Sequence, residues 1–184
     1  MKATGIVRRI DDLGRVVIPK EIRRTMRIRE GDPLEIYTDR EGEVIFKKYS
    51  PIGELKNFAS EYADTLQKTS GMSIFVCDRD EIIAVSGASK REYLEKRISE
   101  DLDEIIDSRA LYINKSNRDD KKIIDTDTEH YISCAMPIIS EGDVIGCVLS
   151  GVSKEQDTAN RISSDVEIKL IQTAGMFLGK QMES

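Results

Sequence analysis

Three cysteines and one histidine are the residues of this sequence best suited to redox, nucleophilic or metal chemistry. Cys77, Cys134 and Cys147 are odd in number and form no C-x-x-C pair, which argues against a disulfide framework and against a zinc site. Each lies in an apolar, strand-like stretch, so we expect buried hydrophobic side chains rather than reactive thiolates. His130 is the single histidine, and a metal cluster or a Ser-His-Asp site would have to be built on it alone. We therefore predict a polar strand-edge role for His130, no catalytic residue, no metal site and no cofactor.

Arginines near the N-terminus point to a different chemistry. Residues 1–29 hold nine basic and three acidic residues, and seven of the nine are arginines, whose planar guanidinium can donate two hydrogen bonds to a phosphate or a guanine edge. The net charge of −6 conceals this cluster: residues 1–50 carry 12 basic and 9 acidic residues, and the remainder carries 16 and 25. Such asymmetry is typical of a nucleic-acid-binding module joined to an acidic domain. From charge alone, a solvated basic surface remains the alternative.

Short elements must position these arginines. Two strands around an Asp11–Gly14 turn, a helix that begins after Pro19, and a second hairpin follow from the apolar periodicity and the turn residues. Fifty residues in this order bury too little apolar surface for a stable monomer, so we predict a two-fold dimer. The predicted order is strand, strand, helix, strand, strand over residues 5–10, 15–18, 20–26, 34–37 and 43–47.

This segment closely resembles AbrB-like swapped-hairpin transition-state regulators over the runs GIVRRIDDLGRVVIP (residues 5–19) and EIRRT (residues 21–25). The resemblance covers about 50 residues and implies that hairpins of two chains interlace into a β-rich dimeric barrel, which binds double-stranded DNA. It also implies loose recognition through DNA shape, and we expect degenerate, AT-rich targets. The DNA-binding residues that it implies are Arg8, Arg15, Arg23 and Arg24, with Lys2 and Arg9 as supporting phosphate contacts.

The remainder of the chain is predicted to form an α+β domain, and we place the domains at residues 1–50 and 51–184. Ser50-Pro51 is typical of a helix start, and amphipathic helices bracket the domain. These helices pack either on the domain's own sheet or in a helix bundle between subunits. The predicted elements are a helix ending at Ser70, a hairpin over 72–77 and 82–85, a stretch of helices from Ser89 to about Arg109, strands near 112, 123–124, 130–139 and 144–152, and a helix opened by the capping box Ser164-x-x-Glu167.

Two runs in this part, ISCAMPI (132–138) and VIGCVLSG (144–151), resemble the central strands of GAF-type sensor domains. The resemblance implies a GAF-like sensor and oligomerisation domain, and it leaves an unknown small-molecule ligand open. Asn114-Lys115 is at most a fragment of a cyclic-nucleotide signature, and the charged loop 116–122 is predicted to be solvated. The combination of both domains is similar to sporulation regulators, which implies control of forespore gene expression and a tetramer formed through the C-terminal helices.

Other classes fit the sequence less well. The N-terminus has no apolar signal-peptide core and the apolar runs are too short for a bilayer, so we expect a cytoplasmic, nucleoid-associated protein without a membrane partner. Swapped-hairpin antitoxins also bind DNA, but they usually carry a short disordered tail. A thiol-dependent reductase, as found among GAF-fold proteins, would need a basic cluster beside a cysteine. We therefore predict a transcription regulator and not an enzyme.

Overall fold

The computed structural model describes residues 5–54, 56–114, 120–126, 129–153 and 162–183. The chain forms two compact units, residues 1–49 and residues 50–184. Lys115 and residues 116–119 of the predicted charged loop lie outside the described residues. Within the described ranges, no helix combines the length and apolar character that crossing a bilayer requires.

Residues 5–49, the described part of the first unit, contain one short helix and one β-hairpin. Helix α1 spans Lys20–Met26, and the antiparallel strands β1 and β2 span Leu34–Thr38 and Val44–Lys48. Pro19 precedes α1, where a fixed φ and a missing N–H are well tolerated. Between the strands, the Asp39 carboxylate closes the turn by accepting the backbone N–H groups at 41 and 43, at 3.0 and 2.8 Å. The predicted helix and second hairpin are therefore confirmed.

The first predicted hairpin differs, because the structure assigns no strand to residues 5–18. Only its turn is closed: the Asp11 N–H donates to the Arg15 carbonyl and the Gly14 N–H to the Asp11 carbonyl, both at 3.0 Å. Apolar side chains on both arms are exposed, among them Ile6, Val7, Ile10, Val16 and Val17. Strands form only where backbone groups find ladder partners, and among the described residues these arms show none beyond the turn. The strands predicted at residues 5–10 and 15–18 are therefore not observed, and only the turn between them is confirmed.

The second unit is built on a five-stranded antiparallel sheet with the order β4-β3-β7-β6-β5. Its strands are β3 Ser73–Cys77, β4 Ile82–Ser86, β5 Tyr112–Ile113, β6 His130–Ser140 and β7 Asp143–Ser153. Glu141 and Gly142 join β6 to β7 at φ values of 50° and 89°, as a tight two-residue hairpin turn requires. Its helices are α2 Pro51–Glu54, α3 Lys56–Ser70, α4 Lys90–Tyr93, α5 Glu100–Ser108 and α6 Ser164–Gln181.

Alternation along the strands creates two apolar cores, one on each face of the sheet. In β3, Phe75 and Cys77 belong to one core, and Ile74 and Val76 belong to the other. The first core is completed by residues of α4 and α5, including Tyr93, Leu102, Ile105 and Ile106. The second is completed by residues of α2, α3 and α6, including Ile52, Ala59, Ala63, Ile171, Ala174 and Leu178. The predicted α+β organisation is confirmed.

The helical stretch predicted from Ser89 to about Arg109 forms two helices, α4 and α5, whereas a strand predicted in this unit was wrong. The chain returns to β4 between the two helices: the Ile82 N–H donates to the Lys96 carbonyl at 2.9 Å, and the Glu95 N–H to the Ile82 carbonyl at 2.8 Å. Ile123 and Ile124, expected in a strand, lie in bends yet are buried in the first core. Their apolar character indicates burial, but a buried residue need not lie in a strand.

The capping box predicted at Ser164 and Glu167 was also wrong. Ser163 is the N-cap of α6, and the Glu167 side chain is buried against the sheet. There the Ser150 hydroxyl donates to Glu167 Oε1 at 2.6 Å and accepts the Cys134 N–H at 3.2 Å, beside an irregularity in the pairing of β6 with β7. Glu167 therefore links the first turn of α6 to β7 through this hydrogen bond and does not cap its own helix.

Candidate nucleic-acid interface

Helix α1 presents two adjacent arginines, Arg23 and Arg24, to solvent. The helix ends at Arg27, which adopts the left-handed conformation with a φ of 49°. Lys48, on β2, donates to the Arg27 carbonyl at 3.0 Å and lies 3.6 Å from the Asp32 carboxylate. The second hairpin thus holds the C-terminal end of the helix that carries the two arginines.

Three more arginines surround the turn of the first hairpin. Arg8 and Arg9 precede the turn, Arg15 follows it, and all three are exposed. The Asp11 carboxylate organises the turn: Oδ1 accepts the N–H groups of Leu13 and Arg15 at 3.0 and 2.7 Å, and Oδ2 accepts the Arg15 Nε–H at 2.8 Å. The hydrogen bonds from the Arg15 backbone and side chain hold the pKa of Asp11 below its usual value. The turn therefore restrains one guanidinium in a defined direction.

The structure thus places five of the six predicted DNA-binding residues on two exposed elements. Lys2, the sixth, lies outside the described residues. Sequence reasoning treated Asp11 only as a turn former and missed its contact with Arg15. The signal was its position four residues before an arginine across a tight turn, where both side chains leave the backbone close together.

A partly exposed apolar surface lies on the outer sides of α3 and α6, and we call Phe58, Tyr62, Met176 and Phe177 the α3–α6 surface. The Tyr62 and Phe177 rings stack at 5.3 Å between centroids, and Phe58 lies 6.0 Å from Phe177. Met176 is 69% exposed and Phe177 is 39% exposed. The opposite side of α6 is buried against the sheet. Packing on the domain's own sheet therefore accounts for only one side of this helix.

The cysteines are buried, as predicted, and their thiols are shielded from solvent reagents. Cys77 and Cys147 are partners across β3 and β7 with no solvent exposure. Burial raises the pKa of Cys77 well above its usual value and that of Cys134 to about 12. Thiols in this state are protonated and do not act as nucleophiles.

His130, at the start of β6, belongs to an aromatic cluster. Its Nδ1 lies 2.9 Å from the Tyr93 hydroxyl, and its ring meets those of Tyr93 and Phe75 edge to face. This arrangement is a packed, hydrogen-bonded histidine. Across the described residues, no group of three or more His, Cys, Asp and Glu side chains is placed to hold a metal ion.

Comparison with known proteins divides the chain in the same two parts. Residues 54–183 match the family described as "Stage V sporulation protein T C-terminal, transcription factor", and residues 7–53 match the family described as "Antidote-toxin recognition MazE, bacterial antitoxin". Stage V sporulation protein T of Bacillus subtilis strain 168 is 55% identical over 185 residues, which cover 100% of this chain and 99% of that protein.

Two solved structures are similar to separate parts of the chain. The N-terminal DNA recognition domain of the B. subtilis regulator AbrB is 63% identical and covers 28% of this chain and 94% of its own, with a TM-score of 0.25. The cofactor-binding GAF domain of the nutrient sensor CodY from Clostridium difficile is 13% identical and covers 67% of this chain and 83% of its own, with a TM-score of 0.48.

Proposed function

Because the chain belongs to the stage V sporulation protein T family of transcription factors, we propose that it regulates forespore gene expression by binding double-stranded DNA through its N-terminal unit. The family assignment rests on the full-length relative and on the match over residues 54–183. The observation that carries the DNA-binding proposal is the set of exposed arginines around the first turn and on α1. Its support is the 63% identity between this region and a domain described as a DNA recognition domain.

The N-terminal unit acts as a dimer in this proposal. Its support is the apolar surface that one copy leaves in water, for example Val7 at 90% and Ile36 at 62% exposure. Contiguous exposed apolar side chains and unpaired strand-forming segments are normally covered by a partner. A second copy would supply the missing ladder for residues 5–18 and bury these side chains. Two-fold pairing would also double the arginine set, which suits a DNA site of approximate two-fold symmetry.

The arginines on the two elements make different kinds of contact with DNA in this proposal. Arg8 and Arg15, beside a narrow turn, can enter a groove, whereas Arg23 and Arg24 on the helix can bind the flanking phosphates, with Arg9 and Lys2 in support. Phosphate contacts of this kind tolerate sequence, so degenerate AT-rich sites are expected. A regulator that works in this way acts on the nucleoid, in the cytoplasm.

The C-terminal unit joins dimers into a tetramer through the α3–α6 surface. Support comes from Met176 and Phe177, which remain exposed there beside the half-buried Phe58 and Tyr62, because methionine and aromatic side chains are enriched at subunit contacts. Native mass spectrometry of the intact protein tests this directly. A tetramer is expected, and a dimer at all concentrations contradicts the proposal. The same spectrum shows whether a small molecule is retained, which would give the unit a sensing role.

The alternatives are weaker for structural reasons. An antitoxin role rests on the family match at residues 7–53, but the residues that follow form a folded α+β unit that matches a transcription factor family. A thiol-dependent reductase needs an accessible thiolate, and the three cysteines are buried. We therefore propose a regulator without catalytic activity.

Replacement of Arg23 and Arg24 by alanine tests DNA binding. Binding of a labelled AT-rich duplex should be lost, while the mass of the assembly in size-exclusion chromatography stays unchanged. Arg40→Ala is the control, because Arg40 is also an exposed arginine of the same unit but lies in the turn between β1 and β2. Equal binding by the double variant and the wild type would refute this assignment, and dissociation or unfolding of the variant would mean that these arginines are structural.

A further inference from the structure

We propose that Asp11 is a positioning residue for DNA binding, which holds the Arg15 guanidinium so that its two terminal amino groups face the DNA. The inference rests on the proposed DNA-binding function and adds a role for an acidic residue inside a basic surface. It starts from the three hydrogen bonds that the Asp11 carboxylate accepts, one of which comes from the Arg15 side chain.

The two oxygens of this carboxylate accept hydrogen bonds from different groups. Oδ1 accepts the backbone N–H groups of Leu13 and Arg15 and closes the turn. Oδ2 accepts the Arg15 Nε–H at 2.8 Å, which the turn itself does not need. A guanidinium recognises a phosphate or a guanine edge through two parallel N–H groups. With Nε engaged, the pair that remains for DNA is formed by the two terminal nitrogens, so Asp11 selects the end-on mode of Arg15.

A purely structural role explains this contact poorly. The two side chains retain 69% and 35% of their exposure, and an exposed ion pair of this kind contributes little to folding. A carboxylate on a DNA-binding surface also repels phosphates, and this repulsion weakens binding. Another contribution of the residue to binding must therefore offset it. Restraint of a long side chain is such a contribution, because an arginine that is ordered before binding loses less rotamer freedom when it contacts DNA.

Asp11→Asn separates the two contributions by the sign of its effect. Asparagine keeps a carbonyl oxygen for the turn, but its amide nitrogen cannot accept the Arg15 Nε–H. If the carboxylate only repels phosphates, the variant binds DNA more tightly. If it positions Arg15, the variant binds more weakly, by about two- to tenfold per DNA-binding unit, which is the cost of immobilising one long side chain. Asp12→Asn removes the same charge one residue away and should give only the electrostatic gain.

The experiment measures the affinity of the full-length protein for a labelled AT-rich duplex at fixed salt. Weaker binding by Asp11→Asn, with equal or tighter binding by Asp12→Asn, is the expected result. In an Arg15→Ala background the loss caused by Asp11→Asn should disappear, because the residue acts only through Arg15. Equal or tighter binding by Asp11→Asn in the wild-type background, or the same loss in both backgrounds, overturns the proposal.

Two further measurements keep the outcome unambiguous. If thermal melting shows that Asp11→Asn destabilises the protein, Arg15→Lys replaces it, because lysine keeps the charge but has no Nε–H for Asp11. That variant should bind DNA more weakly than the wild type, and wild-type binding by Arg15→Lys overturns the proposal. If the wild-type protein itself does not bind the duplex, the proposed function fails, and this result is distinct from failure of the Asp11 inference alone.

Discussion

The hydrogen bond between Ser150 and Glu167 should be one of the stronger stabilising contacts of the C-terminal unit. Both side chains are buried, at 1% and 8% exposure, and the Ser150 hydroxyl donates to the carboxylate at 2.6 Å. Ser150→Ala would leave this carboxylate oxygen buried without its donor. A hydrogen bond to a charged group contributes about 1.5–3 kcal/mol, and we expect the variant to lose that much of its free energy of unfolding.

A matched set of variants shows whether the carboxylate causes the loss. Ser73→Ala is the control, because its hydroxyl is also buried in the sheet but donates to the neutral Gly87 carbonyl at 2.8 Å. It should cost about 1 kcal/mol. Adding Glu167→Met to Ser150→Ala should restore about 1 kcal/mol or more, because the buried carboxylate without a donor is then gone.

Urea unfolding followed by the helical far-ultraviolet circular dichroism signal measures these differences. The signal reports mainly on the C-terminal unit, because α3, α5 and α6 contain 15, 9 and 18 residues and α1 contains 7. Protein concentration must be the same for all variants, since assembly contributes to apparent stability. Additive losses for the Ser150 and Glu167 substitutions, or a Ser73→Ala loss as large as that of Ser150→Ala, would refute the reasoning.

Three other outcomes follow from the structure. Gly179→Ala should lose about 1–2 kcal/mol of unfolding free energy despite its better helix propensity, because the new Cβ would lie 2.2 Å from a backbone carbonyl oxygen of β6. Gly175→Ala should lose less, because its Cβ would lie 2.6 Å from the Met136 Cγ, a side-chain atom that can shift. The reverse order in urea unfolding would contradict this. The native protein should react slowly with a thiol reagent at mildly alkaline pH, because the thiols are buried and the pKa of Cys134 is raised to about 12; rapid reaction without denaturant would show that they are accessible. Replacement of Met176 and Phe177 by aspartate should halve the subunit count in native mass spectrometry and leave the N-terminal dimer intact, and an unchanged count would exclude the α3–α6 surface as a subunit contact.

Local signals were enough to predict much of the fold. Helix α1 follows from Pro19 and the spacing of Ile22 and Met26, and β6 and β7 follow from long apolar runs around a glycine-containing turn. The exposed arginines were also predictable, because charge and position near a turn or on a short helix are local properties. These features depend on residues that are neighbours in the sequence.

The features that were missed depend on partners that are distant in the sequence. Glu167 has the spacing of a capping residue, but a buried serine in β7 binds its carboxylate instead. Ile123 has the character of a strand residue, but it fills the core from a bend. Residues 5–18 have a strand pattern, yet the part of the chain that the structure describes pairs no strand with them. The contact between Asp11 and Arg15 was missed for another reason. The sequence indicates an acidic residue in a turn, but it does not indicate that the carboxylate oxygen Oδ2 faces the Arg15 side chain.

The salt dependence of DNA binding tests the central claim most directly. A protein that binds DNA through arginines releases counterions from each phosphate that it neutralises. The logarithm of the binding constant should therefore fall linearly with the logarithm of salt concentration, with a slope of about −0.9 per phosphate contact. Several contacts per dimer predict a slope of about −4 or steeper for the full-length protein on an AT-rich duplex. Binding that does not change with salt, or no binding at low salt, would contradict the assignment of the N-terminal unit as a DNA-binding domain.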